Sequence, residues 1–189
     1  KKAVKKSQAS RTISNEQHRF AVDRIRKAGL ESQITVLLED YRDLQGTYDK
    51  LVSIEMIEAV GHHYYDSYFE TCSRLLKPDG MMLLQAITIS DWAFERHKTS
   101  VDFIKSHIFP GSCIPSVTAI SKSLASATDM RMVHMEDIGP HYVRTLQEWR
   151  ARFTDTRQDI LQMGYDERFF RAWQYYLTYC EAGFEERYI

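Results

Sequence analysis

Residues 48–61 read YDKLVSIEMIEAVG, and this stretch decides the fold. Its first half, Tyr48 to Ile54, predicts a buried β-strand. Two carboxylates, Glu55 and Glu58, follow at the carboxyl end of that strand, which is the edge where open α/β sheets build their ligand crevice. Burying such a charged pair costs free energy unless something uses it. The stretch therefore predicts either a functional site or two glutamates that cap the following helix.

Strand and helix patterns alternate around this stretch. Ser14 and Gln17 form a capping-box pattern at the start of a helix that ends at Gly29. No strand is expected before Thr12, and turn residues at 77–80 separate a helix from the strand after it. Predicted strands cover residues 34–38, 48–54 and 81–89, and predicted helices cover 14–29 and 64–76. This β–α–β order predicts a parallel sheet with helices on both faces.

The second half of the chain is predicted to be mainly helical. Helices are expected at residues 91–108, 116–125, 141–158 and 166–182, with one strand at 130–138. Aromatic side chains crowd the last third at helical spacing, a pattern that predicts a core seam, a large apolar pocket, or both. The members of this seam are Phe169, Phe170, Trp173, Tyr175, Tyr176 and Tyr179.

Composition excludes several classes of function. A formal net charge of −1 gives no electrostatic case for nucleic-acid binding. Three widely spaced cysteines without a C-x-x-C motif argue against a disulfide framework and fit a reducing compartment. His62 and His63 have no third ligand at a suitable spacing, so no metal site is expected. No apolar run reaches the roughly 18 residues of a membrane span, and no signal peptide is recognised, so a cytoplasmic location is expected.

Several motifs along the chain match one known family. They are TISNEQ at 12–17, EDYRDL at 39–44, YDKLVSIEMIEAVGH at 48–62, LKPDG at 76–80, LLQAI at 83–87, DFIKSHIFPG at 102–111, IPS at 114–116, IGPHY at 138–142 and YYLTYCEAGF at 175–184. With these motifs the chain resembles the S-adenosylmethionine-dependent cyclopropane-fatty-acyl-phospholipid synthase family, which includes the mycolic acid cyclopropane synthases. The combination of EMIEAVG with IFPG and IPS is the most specific part of the match.

The resemblance implies a Rossmann-like, class I methyltransferase α/β fold with helical insertions that form a lid. Residues 1–189 are then a single, incomplete methyltransferase domain, truncated at its N-terminus. Residues 1–11 match the family poorly, 12–90 form the cofactor side, and 91–189 form the lipid-binding helices and a remaining strand. Family members carry an E-x-G-x-G-W-G cofactor loop, and no G-x-G occurs in this sequence. We therefore expect the chain alone to be inactive or nearly so.

The implied reaction moves a methyl group from S-adenosylmethionine to the cis double bond of an unsaturated phospholipid acyl chain. An alkene is a weak nucleophile, so the transfer creates a carbocation and the site needs a base and exclusion of water. In the family the base is a bound bicarbonate. By the resemblance, Glu58 orients that ion, Tyr142 and Gln85 donate hydrogen bonds, and the backbone of Ile87 contacts it. Ile87 could equally be an ordinary core residue of the strand.

The resemblance also implies cofactor contacts in three segments. These residues are Thr12, Ile13, Gln17, Asp40, Tyr41, Arg42 and Ile54. The first three match contacts near the ribose and methionine portions, and the Asp40 to Arg42 loop matches the segment that covers the adenine. Each could equally be ordinary loop or strand chemistry, but all three segments fall at one predicted sheet edge.

The expected partners are phospholipid acyl chains at the membrane surface, with the protein peripherally bound and the full-length form a homodimer. A basic cluster, Lys1, Lys2, Lys5 and Lys6, is expected to be a solvated tail, with binding to anionic lipid headgroups as the alternative. The product is a cyclopropane or methyl-branched lipid. Two rival functions stay open: methylation of a small molecule on nitrogen or oxygen, and a non-catalytic lipid-binding module.

Overall fold

Parallel strand pairs form the first half of the molecule. The computed structural model describes residues 8–189, so the N-terminal lysine cluster lies outside the described residues. The strands are β1 (Gln8–Thr12), β2 (Ile34–Leu38), β3 (Tyr48–Ile54) and β4 (Leu76–Gln85). β1 pairs with β2 and β3 pairs with β4, both in parallel. The expected parallel α/β architecture is thus confirmed, although the described strands form two separate two-stranded pairs and not one continuous sheet.

β1 corrects the prediction that no strand precedes Thr12. Gln8 pairs with Ile34 and the register runs evenly to Thr12 opposite Leu38. The strand reads QASRT, and its first three residues are exposed, so it shows no alternation of apolar and polar residues. Pairing with β2, and not the intrinsic preference of these side chains, makes this segment a strand.

Helices follow the strands and fill the second half of the chain. They are α1 (Asn15–Lys27), α2 (Ile57–Val60), α3 (Tyr65–Leu75), α4 (Asp91–Thr99), α5 (Val117–Ala127), α6 (Gly139–Asp155), α7 (Arg157–Gln162) and α8 (Glu167–Glu185). Short 3-10 turns lie at Tyr41–Asp43 and His62–Tyr64, and a π-helical turn lies at Ile104–Ile108. The predicted cap of α1 is confirmed, because the Ser14 hydroxyl accepts a hydrogen bond from the Gln17 amide at 3.2 Å.

Three predicted boundaries differ from the structure. The strand expected at 130–138 is irregular backbone, and its apolar side chains Met132, Val133 and Met135 are exposed, because no described strand pairs with it. The helix expected at 91–108 divides into α4 and the π-helical turn. β4 ends at Gln85 instead of residue 89, and its register jumps from Leu76 to Met81 across the predicted turn residues.

The main core lies between the β3–β4 pair and α3. Ile57, Tyr65, Tyr68 and Phe69 are almost fully buried there, and Leu51 and Leu84 pack against them. The opposite face of β3–β4 carries side chains that are more than half exposed, namely Val52, Ile54, Met81 and Leu83. Among the described residues, helices therefore cover this pair on one face, where both faces were expected to be covered.

A second core holds α6 against α8. Leu146, Leu177 and Phe184 are buried in it, and the Phe153 and Phe170 rings stack with centroids 4.8 Å apart. A cavity of about 420 Å³ opens beside them and is lined by Trp149, Arg152, Phe153, Trp173, Tyr176 and Leu177. The predicted aromatic seam is confirmed in part: Phe170 is buried and Phe169, Trp173 and Tyr176 are half-buried, whereas Tyr175 and Tyr179 are exposed and lie against Phe103.

Candidate active site

The carboxyl ends of β3 and β4 place the candidate catalytic residues side by side. Ile54 is the register partner of Gln85, so the residues after β3 and those after β4 leave the sheet at the same edge. The short helix α2 follows β3 directly and carries Glu58. The first turn of α6 brings Tyr142 to this edge, although 57 positions separate it from Gln85. The four predicted catalytic residues are therefore brought together.

Glu55, Gln85 and Tyr142 form a closed hydrogen-bonded triangle. Gln85 Nε2 donates to Glu55 Oε1 at 2.9 Å and to the Tyr142 hydroxyl at 2.8 Å. The Tyr142 hydroxyl in turn donates to the same Glu55 oxygen. Burial and this bond to Glu55 raise the pKa of Tyr142 to about 12. Tyr142 therefore stays protonated and acts as a donor throughout the physiological pH range.

Glu55 accepts hydrogen bonds from both other members of this triangle, a contact that sequence reasoning missed. It was noted as one of a carboxylate pair, but it was not assigned a role. Its φ of 48° lies in the left-handed region, which few residues other than glycine adopt. Its backbone amide continues the sheet by donating to the Gln85 carbonyl at 2.8 Å. This turn in the chain, which no sequence pattern announces, is what brings the carboxylate into contact with Tyr142.

Glu58 is a buried carboxylate that links α2 to the end of β4. Its Oε1 accepts a hydrogen bond from the Ile87 backbone N–H at 2.5 Å, and its Oε2 is buried without a partner among the described residues. Burial raises the pKa of Glu58, and the negative charge of Glu55 adds to the increase. Besides the backbone of its own helix, the Glu58 carboxylate contacts the segment that follows β4, which a simple helix-capping role does not require.

The predicted cofactor residues lie at the ends of β1, β2 and β3. The Thr12 hydroxyl donates to Gln17 Oε1 at 2.7 Å, and Ile13 beside it is 72% exposed. Asp40 accepts two hydrogen bonds from the Arg42 guanidinium, both at 2.9 Å, and these bonds lower the pKa of Asp40 to about 2. Adjacent segments thus expose both polar and apolar groups, and a nucleoside requires contacts of both kinds.

Arg11 connects these segments, and it was not predicted. Its guanidinium lies over the Tyr41 ring, 5.3 Å from the centroid, and donates to the Met56 sulfur at 2.6 Å. Residues from the end of β1, the loop after β2 and the turn after β3 are therefore in contact. Arg11 had been placed in a poorly matched tail, but it is part of the folded edge. Ile54, the last residue of β3, lies two residues before Met56 in the same turn.

The cysteines and the histidine pair stay outside this arrangement. Cys72 and Cys113 are buried and Cys180 is half-buried, and none of the three forms a disulfide. Burial raises the pKa of Cys72 and of Cys180 to about 11, as expected for unreactive thiols.

Residues 8–189 contain no group of three or more side chains that could hold a metal ion. None of the helices in that range is long and apolar enough to cross a membrane.

Comparison with known proteins identifies the family. The family model for mycolic acid cyclopropane synthetase matches residues 2–189. This chain belongs to that family. It is 40% identical over 178 residues to tuberculostearic acid methyltransferase UfaA1 of Mycobacterium tuberculosis, a match that covers 94% of this chain and 42% of the relative. It is 39% identical over 179 residues to the cyclopropane-fatty-acyl-phospholipid synthase of Escherichia coli, covering 94% of this chain and 44% of that enzyme.

A solved structure of a family member shares the fold. Mycolic acid cyclopropane synthase CmaA1, complexed with SAH and CTAB, superposes with a TM-score of 0.85 at 28% identity, covering 96% of this chain and 66% of that one. The class I methyltransferase fold is thereby confirmed. The chain spans less than half the length of the two sequence relatives named above. Activity, substrates and partners of this synthetase-family chain are therefore matters of proposal.

The donors assigned to bicarbonate are already engaged in this family member. The Tyr142 hydroxyl has a single hydrogen and donates it to Glu55. Gln85 has two amide hydrogens and uses both, on Glu55 and on Tyr142. The Ile87 N–H is bonded to Glu58. Tyr142, Gln85 and Ile87 therefore keep no donor for a further anion, and the Glu55 carboxylate beside them would repel one. As arranged here, the site does not fit a bound bicarbonate.

Proposed function

We propose that this chain belongs to an S-adenosylmethionine-dependent methyltransferase that modifies the cis double bond of unsaturated phospholipid acyl chains, giving a cyclopropane or methyl-branched product. The observation that carries the proposal is the convergence of Glu58, Gln85 and Tyr142 at one sheet edge. Membership of the synthetase family supports it. S-adenosylmethionine would supply an activated methyl group, held by Thr12, Ile13, Gln17, Ile54 and the Asp40 to Arg42 loop.

Aromatic rings beside the triangle suit a reaction that passes through a carbocation. The Tyr142 ring stacks on Phe184 with centroids 5.0 Å apart, and the Phe109 and Tyr176 rings meet edge-on at 6.2 Å. Aromatic faces stabilise a cation without reacting with it. The cavity between α6 and α8, which Tyr176 also lines, offers apolar walls to an acyl chain. These contacts support a lipid substrate over a small polar one.

Contact with a membrane surface is part of the proposal. Trp92 and Val101 are each 77% exposed, and both lie in the segment around α4. Lys98 and Lys105 lie in the same segment and line a second cavity of about 330 Å³. Exposed apolar side chains next to lysines are typical of proteins that bind peripherally to anionic bilayers. These features support peripheral binding to the membrane, and a cytoplasmic location and dimerisation of the full-length form stay predictions.

The test is product analysis by mass spectrometry. The longest natural protein that contains this chain is incubated with S-adenosylmethionine and vesicles of monounsaturated phospholipid, in parallel with amine and phenol substrates. Acyl chains that gain one CH₂ unit are the expected result. Methylated amines or phenols without modified lipid would favour a small-molecule methyltransferase instead. Vesicle binding without any turnover would favour a non-catalytic lipid-binding module.

A further inference from the structure

We propose that the Glu55 carboxylate is the base of this reaction and occupies the donors that an external anion would otherwise use. The inference rests on the proposed function. Its starting point is the triangle in which Tyr142 and Gln85 both donate to Glu55 Oε1. A carboxylate held by two donors is fixed in position, as a base at a reacting centre must be.

The second oxygen of Glu55 is available for a proton. Both hydrogen bonds from the described residues go to Oε1, so Oε2 keeps its lone pairs. Glu58 is less suited to the role, because it is buried and its Oε1 is tied to the Ile87 N–H. Glu55 is exposed in this chain and open to a substrate.

The backbone supports the same assignment. Glycine would adopt the φ of 48° at residue 55 with less strain than glutamate does. Strained conformations of this kind concentrate at functional sites, where contacts of the side chain offset their free-energy cost. Among the described residues, the side-chain hydrogen bonds of Glu55 are those with Gln85 and Tyr142, and these bonds help to hold the strained turn in place.

The proposed step balances in atoms and electrons. The π electrons of the alkene form a bond to the sulfonium methyl carbon while the carbon–sulfur bond breaks, and that electron pair leaves with sulfur. The other alkene carbon becomes cationic. Glu55 Oε2 then removes a proton from the added methyl group, and the released electron pair closes the cyclopropane ring. Removal of a proton from an adjacent carbon would give a methyl-branched alkene instead. The protonated Glu55 afterwards returns its proton to water.

The first experiment measures bicarbonate binding and needs no turnover. Residues 1–189 are titrated with ¹³C-labelled bicarbonate and followed by saturation-transfer NMR, using wild type, Glu55→Gly and Tyr142→Phe. Wild type is expected not to bind, and Glu55→Gly is expected to bind because Tyr142 and Gln85 lose their acceptor. Bicarbonate binding by wild type that disappears in Tyr142→Phe would overturn the proposal. Circular dichroism checks folding, and Glu55→Asn gives a second variant that tolerates the positive φ.

The second experiment measures turnover in the longest natural protein that contains the chain. Wild type is expected to keep its rate in bicarbonate-free buffer, and Glu55→Gln is expected to lose about 100-fold or more, the usual contribution of a general base. Added bicarbonate is expected to restore part of the rate of Glu55→Gly. A Glu55→Gln rate equal to wild type would overturn the base role. Absence of lipid methylation by wild type would instead overturn the proposed function, while the binding experiment still decides whether Glu55 holds the donors.

Discussion

Ile54 and Gln85 are register partners in the parallel pair β3–β4. The Gln85 side chain also donates a hydrogen bond to the carboxylate of Glu55, the residue that follows Ile54. Gln85 therefore belongs both to the β3–β4 pairing and to the candidate active site. Because the backbone amide of Glu55 also donates to the Gln85 carbonyl, the carboxylate of Glu55 is attached to β4 by both main chain and side chain. A change in the pairing of β3 with β4 would therefore displace the Glu55 carboxylate.

Replacing Glu55 should lower the pKa of Tyr142. Burial and the bond to Glu55 together raise that pKa to about 12, so Glu55→Gln should bring it closer to the ordinary value of 10 without reaching it, since burial remains. Absorbance of the tyrosinate band is measured against pH, and subtraction of Tyr142→Phe spectra isolates this residue. Glu31→Gln, an exposed glutamate on a loop, is the control. An unchanged Tyr142 titration in Glu55→Gln would contradict the triangle.

The buried Glu58 should make stability depend on pH. Because its pKa in the folded protein is raised above the ordinary 4.5, its contribution is complete below pH 4.5 and is lost as pH rises through the raised pKa. Each unit by which the pKa of Glu58 differs between the folded and the unfolded protein corresponds to about 1.4 kcal/mol of stability. The free energy of unfolding of wild type minus that of Glu58→Gln, measured by denaturant titration from pH 4 to 8, should therefore fall as pH rises. A difference between these two free energies that does not change with pH would refute the prediction.

The buried hydroxyl of Tyr68 should matter for stability. It donates to the Ser53 hydroxyl at 2.7 Å, and both residues are buried. Tyr68→Phe leaves the Ser53 hydroxyl without its partner, which should cost about 1–3 kcal/mol in the free energy of unfolding. Tyr64→Phe makes the same chemical change at an exposed ring and should be nearly neutral. Adding Ser53→Ala to Tyr68→Phe should recover part of the loss, and a double variant worse than the sum of both would count against this interpretation.

Residues 1–189 alone should not bind S-adenosylmethionine with micromolar affinity. The carboxypropyl end of that molecule needs backbone donors such as those of a glycine-rich turn, and no G-x-G occurs in this sequence. Isothermal titration calorimetry measures the affinity directly, with an intact family member as the positive control. Micromolar binding by residues 1–189 would show that Thr12, Gln17 and the Asp40 to Arg42 loop are sufficient.

The sequence predicted the parts of the site that depend on strand order. Once β3 and β4 are parallel neighbours, Glu58, Gln85 and Ile87 must meet at one edge, and the structure places them there. The roles expected of Gln85, Ile87 and Tyr142 came from the family resemblance, and the approach of α6 to this edge is a tertiary contact that no local pattern encodes. Glu55 was missed as a ligand of Tyr142 because its contact depends on a left-handed backbone turn.

The two strand predictions that failed, at 130–138 and before Thr12, have a common cause in strand pairing. The segment at 130–138 has apolar side chains at strand-like spacing, but among the described residues it has no partner and remains irregular. β1 has the opposite character, since its side chains are mostly polar but β2 offers a full register. Side-chain pattern predicts a strand only where a neighbour is available, and neighbours are set by the fold as a whole.

The aromatic cavity between α6 and α8 gives the chain a built-in optical reporter. Of its three tryptophans, Trp149 and Trp173 line that cavity and Trp92 lies on α4, so none is in the strand half. Tryptophan fluorescence of the unmodified chain, excited selectively over tyrosine, will therefore follow the helical half alone. An apolar molecule that enters the cavity will displace water from two of the three indoles, and the emission will shift to the blue without any added dye.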